Sequence, residues 1–245
     1  MIRYLHFLAG RERTREADRH LGLTLAFVAG AVNAGGWLAV SQFTSHMTGV
    51  LSLVAENVAA WRWRLVAGGA ASFLSFVTGA AVSAMLINWA RRKKLESEYA
   101  LALLLEAALL TVFGALGHML AHRVGPGAPV TVLLLCFVMG QQNAIITKIS
   151  GARIRTTHMT GNATDLGIEL GRLLYFNDPS VPEARVVADR EKLAIHASLI
   201  ALFVAGGVAG AVGFRALGFG VTVPLSLLLL AIAVGPVWDD LVRRA

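Results

Sequence analysis

Charge is scarce in this chain. Asp, Glu, Lys and Arg together make up 15% of its 245 residues while 56% are hydrophobic, and the mean hydropathy is +0.64. Soluble domains carry about a quarter charged residues, so this composition excludes one and points to a membrane protein. Cysteine is nearly absent too. The single Cys136 lies within an apolar run, which rules out an internal disulfide and a cysteine metal cluster. No run of alternating apolar and polar residues of about ten positions occurs, so the spanning segments are expected to be helices rather than barrel strands. There is no Glu-x-x-His spacing and no activated serine or cysteine arrangement, and the expectation is therefore no enzyme, no metal and no cofactor. The N-terminal stretch MIRYLHFLAGRERTREADRH has too short an apolar segment for a signal peptide, with its charges after that segment rather than before it. It is expected to remain as a cytoplasmic arm, residues 1–20.

What the chain does have is long apolar runs. Leu21–Val40, Leu65–Ala90, Tyr99–Ala121, Val130–Ile149, Leu193–Phe214 and Phe219–Trp238 each approach or exceed the roughly 20 residues needed to cross about 30 Å of hydrocarbon. The formal charge of +7 does not call for nucleic acid, because Lys and Arg in a membrane protein mostly encode orientation.

Between these runs one segment is written twice: TSHMTGVLSLVAEN from Thr44 and TTHMTGNATDLGIE from Thr156. The helices they open, Met47–Ala60 and Met159–Leu174, would be only about 21 and 24 Å long, short of a crossing. Either both cross with help from their flanks, giving eight spans, or both dip in and return, giving six. The positive-inside rule decides. With six spans and both termini cytoplasmic, only Arg62, Arg64, Arg123 and Arg215 fall outside, whereas eight spans put the dense block Arg91 to Lys94 on the outer face.

The expected fold is an all-α integral membrane protein of the bacterial inner membrane. It has six transmembrane helices and two re-entrant half-helices, in two inverted repeats of three spans, residues 21–122 and 128–240. A cytoplasmic connector with a short helix occupies 175–192. The duplication extends beyond the motif: GAVN (Gly30 to Asn33) and GQQN (Gly140 to Asn143) precede the two copies, and FVTGAAVSA from Phe76 and FVAGGVAGA from Phe203 follow them.

A half-helix that starts at membrane depth presents unbonded N–H groups and the positive end of its dipole, and paired broken helices frame the substrate in inverted-repeat transporters. Thr44, Ser45, Thr156 and Thr157 are capping residues. His46 and His158 add titratable donors, Thr48 and Thr160 add hydroxyls, and Gly49 and Gly161 leave the backbone open to a ligand. Asn33 and Asn143 suit either substrate contact or interhelical bonding. Asp165 has only Leu53 at the matching place in the first copy, so Asp165, with Glu106 in its own span, is a candidate for ion coupling; the alternative for Asp165 is an ion pair with Arg155 or Arg172.

The doubled His-Met-Thr-Gly segments with their upstream Gly-x-x-Asn resemble the YoaK family of bacterial membrane proteins, a domain of unknown function. The resemblance runs from the first span to the last and implies an inner-membrane protein of about six helices, with no activity attached. The expected function is transport or facilitated passage of a small polar solute, an anion or carboxylate, between the two half-helices. A channel for a small neutral solute is the alternative, and an intramembrane metal-dependent enzyme or a scaffold stands in another class. The expected partners are that solute, the lipid bilayer and a second copy in a homodimer, with no nucleic acid.

Overall fold

A computed structural model describes residues 8–11, 13–40, 42–120, 127–151, 155–178 and 185–243. The described chain is helical, in the order α1 (Arg15–Val40), α2 (Met47–Ala59), α3 (Trp63–Arg92), α4 (Ala100–Leu120), α5 (Gly127–Ile149), α6 (Met159–Leu174), α7 (Arg190–Leu217), a 3-10 turn (Gly218–Val221) and α8 (Thr222–Val242). By length and composition five stretches can cross a membrane: Arg15–Leu38, Trp63–Arg92, Ala100–Gly117, Val130–Ile149 and Arg190–Val242. The last is divided into α7 and α8 by the 3-10 turn, which opens on Gly218 at φ 56. That conformation costs a glycine least.

The apolar runs mark the helices closely, with one correction at the N-terminus. Helix α1 begins at Arg15 rather than Leu21, because Thr14 Oγ1 accepts from the Ala17 amide at 3.1 Å and starts the helix among charged residues. Residues up to 20 are therefore not all an arm, and Leu8 and Ala9 are buried in the core. Of the connector expected to hold a short helix, 175–192, residues 175–178 and 185–189 are not helical and α7 begins at Arg190, while 179–184 lie outside the described residues.

Lipid offers apolar side chains as good a solvent as other helices do, so close packing and buried hydrogen bonds must hold the bundle together. Helix α1 packs on α7 and α3 on α5; α4 lies against α8, and the short helices α2 and α6 lie on α3 and α7. Both main crossings use one device. Phe27-Val-Ala-Gly30 of α1 meets Phe203-Val-Ala-Gly206 of α7, and Phe76-Val-Thr-Gly79 of α3 meets Phe137-Val-Met-Gly140 of α5. A Cβ added at Gly30 would overlap the Phe203 carbonyl, one at Gly206 the Phe27 carbonyl, one at Gly79 the Phe137 carbonyl and one at Gly140 the Phe76 carbonyl. Each glycine thus admits the backbone of the facing helix.

Polar contacts fix directions. Ser75 Oγ donates to the Leu133 carbonyl at 2.7 Å and, farther along the same pair, Lys148 Nζ donates to Asn88 Oδ1 at 2.7 Å. Helices α3 and α5 therefore run parallel. At one end of the bundle the Arg13 guanidinium lies 5.2 Å from the centroid of the Tyr99 ring, Arg91 bonds Glu98 and Tyr99, and Asp240 accepts from the Glu96 and Ser97 amides at 3.0 and 2.9 Å. The starts of α1 and α4 and the ends of α3 and α8 meet there.

Candidate functional site

The two copies of the motif build the same turn. His46 and His158 are the residues at which α2 and α6 begin, with φ/ψ of −90/67 and −83/59, and neither side chain caps its helix. Before each stands a hydroxyl bonded to the asparagine of the preceding long helix. Ser45 Oγ donates to Asn33 Oδ1 at 2.9 Å and Thr157 Oγ1 to Asn143 Oδ1 at 2.6 Å. One residue earlier, Thr44 and Thr156 are wholly buried, and their hydroxyls have no hydrogen-bond partner. The hydroxyls expected to cap thus serve the turn or stand unbonded, and the first-turn amides have no side-chain cap. The histidine ring lies across the glycine three positions on. A Cβ at Gly49 would overlap the His46 ring and one at Gly161 the His158 ring, so the space beside each glycine belongs to the helix's own histidine.

Beyond the turn the copies differ. At the start of α6 an open cavity of about 460 Å³ is lined by Arg155, His158, Thr160, Gly161, Asn162, Thr164, Asp165 and His196. Asn162 is the hinge pin of its wall. Its Nδ2 donates to the Arg155 carbonyl at 3.0 Å, and its Oδ1 faces His196 Nδ1 at 3.2 Å. Because Oδ1 is then an acceptor, Nδ1 of His196 must carry the proton. Nε2 of His196 is left facing Asp165 Oδ2 at 3.8 Å, an imidazole and a carboxylate with a gap wide enough for a ligand proton or donor. Aligned on the shared motifs, the first copy has Phe43, Val50, Leu53 and Gly69 where the second has Arg155, Asn162, Asp165 and His196. No polar wall can form from those residues.

Of the residues singled out in the sequence, His158, Thr160, Gly161 and Asp165 share this cavity. His46, Thr48 and Gly49 sit at the start of α2 and do not line it. Asn33 and Asn143 hold the turns. Arg172 Nη1 bonds Glu169 at 2.8 Å, so that arginine is committed elsewhere, and Asp165 is 57% exposed with His196 as its recorded partner. Glu106 stands apart on α4, 1% exposed. Sequence reading passed over His196, although a lone histidine in an apolar span is itself a signal. It noted the Phe-Val-x-Gly stretches at Phe76 and Phe203 but passed over their counterparts at Phe27 and Phe137, and the spacing of His118 and His122, four apart. The His118 side chain and His122 lie outside the described residues, and among the described residues no group of three or more His, Cys, Asp or Glu is placed to hold a metal.

Over residues 21–235 the chain matches the family described as Protein of unknown function (DUF1275). It belongs to that family. The UPF0700 transmembrane protein YoaK of Bacillus subtilis (strain 168) is similar to this DUF1275 protein, 26% identical over 153 residues, which is 62% of this chain and 67% of that protein. No solved structure matches. The part that matches the DUF1275 family contains both turns, the cavity and both Phe-Val-x-Gly crossings, so this is a membrane protein whose site and scaffold belong to the family region.

Proposed function

We propose that this DUF1275 protein carries a small polar solute with an anionic group across the bacterial inner membrane, binding it in the cavity at the start of α6. The observation that carries the reading is the composition of that cavity. Arg155, His158 and the uncapped first turn of α6 offer positive charge and donors, and Asp165 and His196 line the same cavity. Polar groups of this kind in a membrane chain are expensive and are kept for use. The solute's anionic group lies against His158 and the α6 amides, where the helix dipole favours it.

The membrane arrangement that fits this reading has six crossings, α1, α3, α4, α5, α7 and α8, with α2 and α6 as re-entrant helices. Supporting it, the start of α1 and the end of α3 lie at one end of the bundle, so the segment between them adds no net crossing. The reciprocal pairing of α1 with α7 and α3 with α5 through one motif supports two equivalent halves of opposite orientation. Arg13, Arg91 and Arg243 lie at the end assigned to the cytoplasm.

The test is thermal stability of the detergent-purified protein against a panel of small anions and carboxylates, with His46→Ala and His158→Ala alongside. A ligand at a hundredfold excess over its dissociation constant stabilises by roughly 2.7 kcal/mol. The expected result is a shift in wild type and His46→Ala that His158→Ala lacks. A panel that shifts none of the three would overturn the reading, and loss of the shift in His46→Ala as well would return the site to a place between both half-helices.

A further inference from the structure

Away from the cavity, where the first half of the chain meets the second, the bundle buries a group of polar side chains that nothing in the fold requires. Glu106 lies seven residues into α4, about 10 Å of helix from its start. It is 1% exposed, and neither carboxyl oxygen has a hydrogen-bond partner. On its own helix Leu103, Ala107 and Leu110 are buried around it. From α5, Gln141 Nε2 donates to the Ala102 carbonyl at 2.6 Å, one turn before Glu106, leaving its own Oε1 unbonded. The Gln142 amide reaches towards Glu106 without closing a hydrogen bond of normal geometry, so both ends of that amide are unsatisfied.

The imbalance is one of donors. Within Glu106, Gln141 and Gln142 the unsatisfied acceptors are Glu106 Oε1 and Oε2, Gln141 Oε1 and Gln142 Oε1, and the one unsatisfied donor group is Gln142 Nε2; on the helices packed against α4 the Ser83 and Ser226 hydroxyls are also unbonded. Exchanging the two ends of the Gln142 amide leaves this count unchanged. An ionised carboxylate here would be a buried charge without a counterion, which groups avoid by taking up a proton. The charged groups on the helices packed against α4 are Lys148 of α5, Arg64, Arg91 and Arg92 of α3, and Asp239 and Asp240 of α8. Arg64 stands in the first turn of its helix and the others in the last turns of theirs, and Cys136 of α5 is the remaining titratable group described there. None of them acts on the Glu106 carboxyl.

We infer that Glu106 and Gln142 form a proton-binding site between α4 and α5, in which the protonated carboxyl and the amide close a reciprocal pair. The proton comes from water and adds to one carboxyl oxygen. The new O–H donates to Gln142 Oε1, and Gln142 Nε2 donates to the other carboxyl oxygen, so both groups are satisfied and the site is neutral. Loss of the proton leaves a charge that only water can solvate, and the contact between α4 and α5 must open to admit it. Since that contact joins the two halves, proton occupancy selects between a closed and an opened arrangement. Its use to drive solute movement rests on the transport reading; its existence does not.

The experiment is infrared spectroscopy of the full-length protein in lipid nanodiscs near neutral pH, with no solute present. Wild type, Glu106→Gln and, as a control, Asp165→Asn are compared in sodium chloride and in choline chloride. The isosteric, uncharged Glu106→Gln keeps the fold, which its melting temperature verifies. The expected result is a carboxylic-acid carbonyl band in wild type and Asp165→Asn that Glu106→Gln lacks, the same in both salts. Equal absorbance of wild type and Glu106→Gln in the carboxylic-acid carbonyl region would overturn the proposal by showing an ionised Glu106. A band that sodium removes and choline does not would overturn it in favour of a metal-cation site. If the band is present while no solute shifts the melting curve, the proton site stands and the transport reading falls.

Discussion

Replacing Gly140 with alanine tests the packing that holds the two halves together. The added Cβ would sit 2.7 Å from the Phe76 carbonyl carbon and 3.0 Å from its Cα, where ordinary contact begins at 3.4 Å. The obstruction is backbone inside a helix and cannot swing aside as a side chain would. The α3–α5 crossing must therefore widen by more than half an ångström, loosening neighbouring contacts along the pair, including the Ser75 bond to Leu133. Overpacking of this kind costs about 1–3 kcal/mol, and a domain of 150–250 residues loses roughly 2–4 °C of melting temperature per kcal/mol. Alanine's better helix propensity returns at most about 1 kcal/mol. Gly167→Ala in α6 supplies the internal control, because a Cβ there meets nothing within 4 Å. In detergent melting curves Gly140→Ala should fall several degrees below wild type while Gly167→Ala stays level or rises slightly. Equal melting temperatures for the two variants would refute the argument that the glycine admits the facing backbone.

Two further substitutions probe the ends of helices. Asp189 accepts from the Glu191 and Lys192 amides at 3.0 and 3.1 Å, so Asp189→Ala should cost about 1 kcal/mol in melting experiments, with Asp189→Asn avoiding most of that loss. Asp240 accepts from the Glu96 and Ser97 amides and from Ser97 Oγ at 2.5 Å, and its replacement by alanine leaves those donors short of a partner at about 1–3 kcal/mol; hydrogen exchange should then rise first at the start of α4.

The fold was legible in the sequence wherever apolar length alone decides structure. The starts of α2 and α6 at Met47 and Met159 followed from the motif, because a helix resumes directly after the turn both copies share. Helix α1 was misplaced by six residues, since Thr14 opens it within a charged segment that hydropathy cannot distinguish from an arm. The candidate site was half legible. His158, Thr160 and Asp165 could be named from spacing, but His196 reaches the cavity only because α7 packs against α6, a pairing of elements that no local pattern encodes. The buried state of Glu106 was hidden for the same reason. Its span shows that it is at membrane depth, but only the approach of α5 with Gln141 and Gln142 shows that it lacks a counterion.

The doubled motif raises the question of why only one copy has a polar cavity, and the residues separate into two groups that answer it. Those that repeat, the Asn33 and Asn143 bonds, the buried Thr44 and Thr156, and the histidine lying across a glycine, all shape the turn that feeds a short helix back towards its neighbour. A backbone reversal in an apolar setting must satisfy its polar groups in either half, so neither copy can lose them. Those that differ are Arg155, Asn162, Asp165 and His196 against Phe43, Val50, Leu53 and Gly69, and of their side chains only that of Asn162 touches the turn, through the Arg155 carbonyl. In the first copy Val50 and Leu53 belong to an α2 that is apolar and has no buried residue, suited to lipid. In the second their counterparts line a cavity. Duplication supplied two equivalent turns, and the chemistry that can hold a solute is concentrated at the second. For that reason His158 and His46, alike in sequence and in local geometry, are expected to part company in a binding assay.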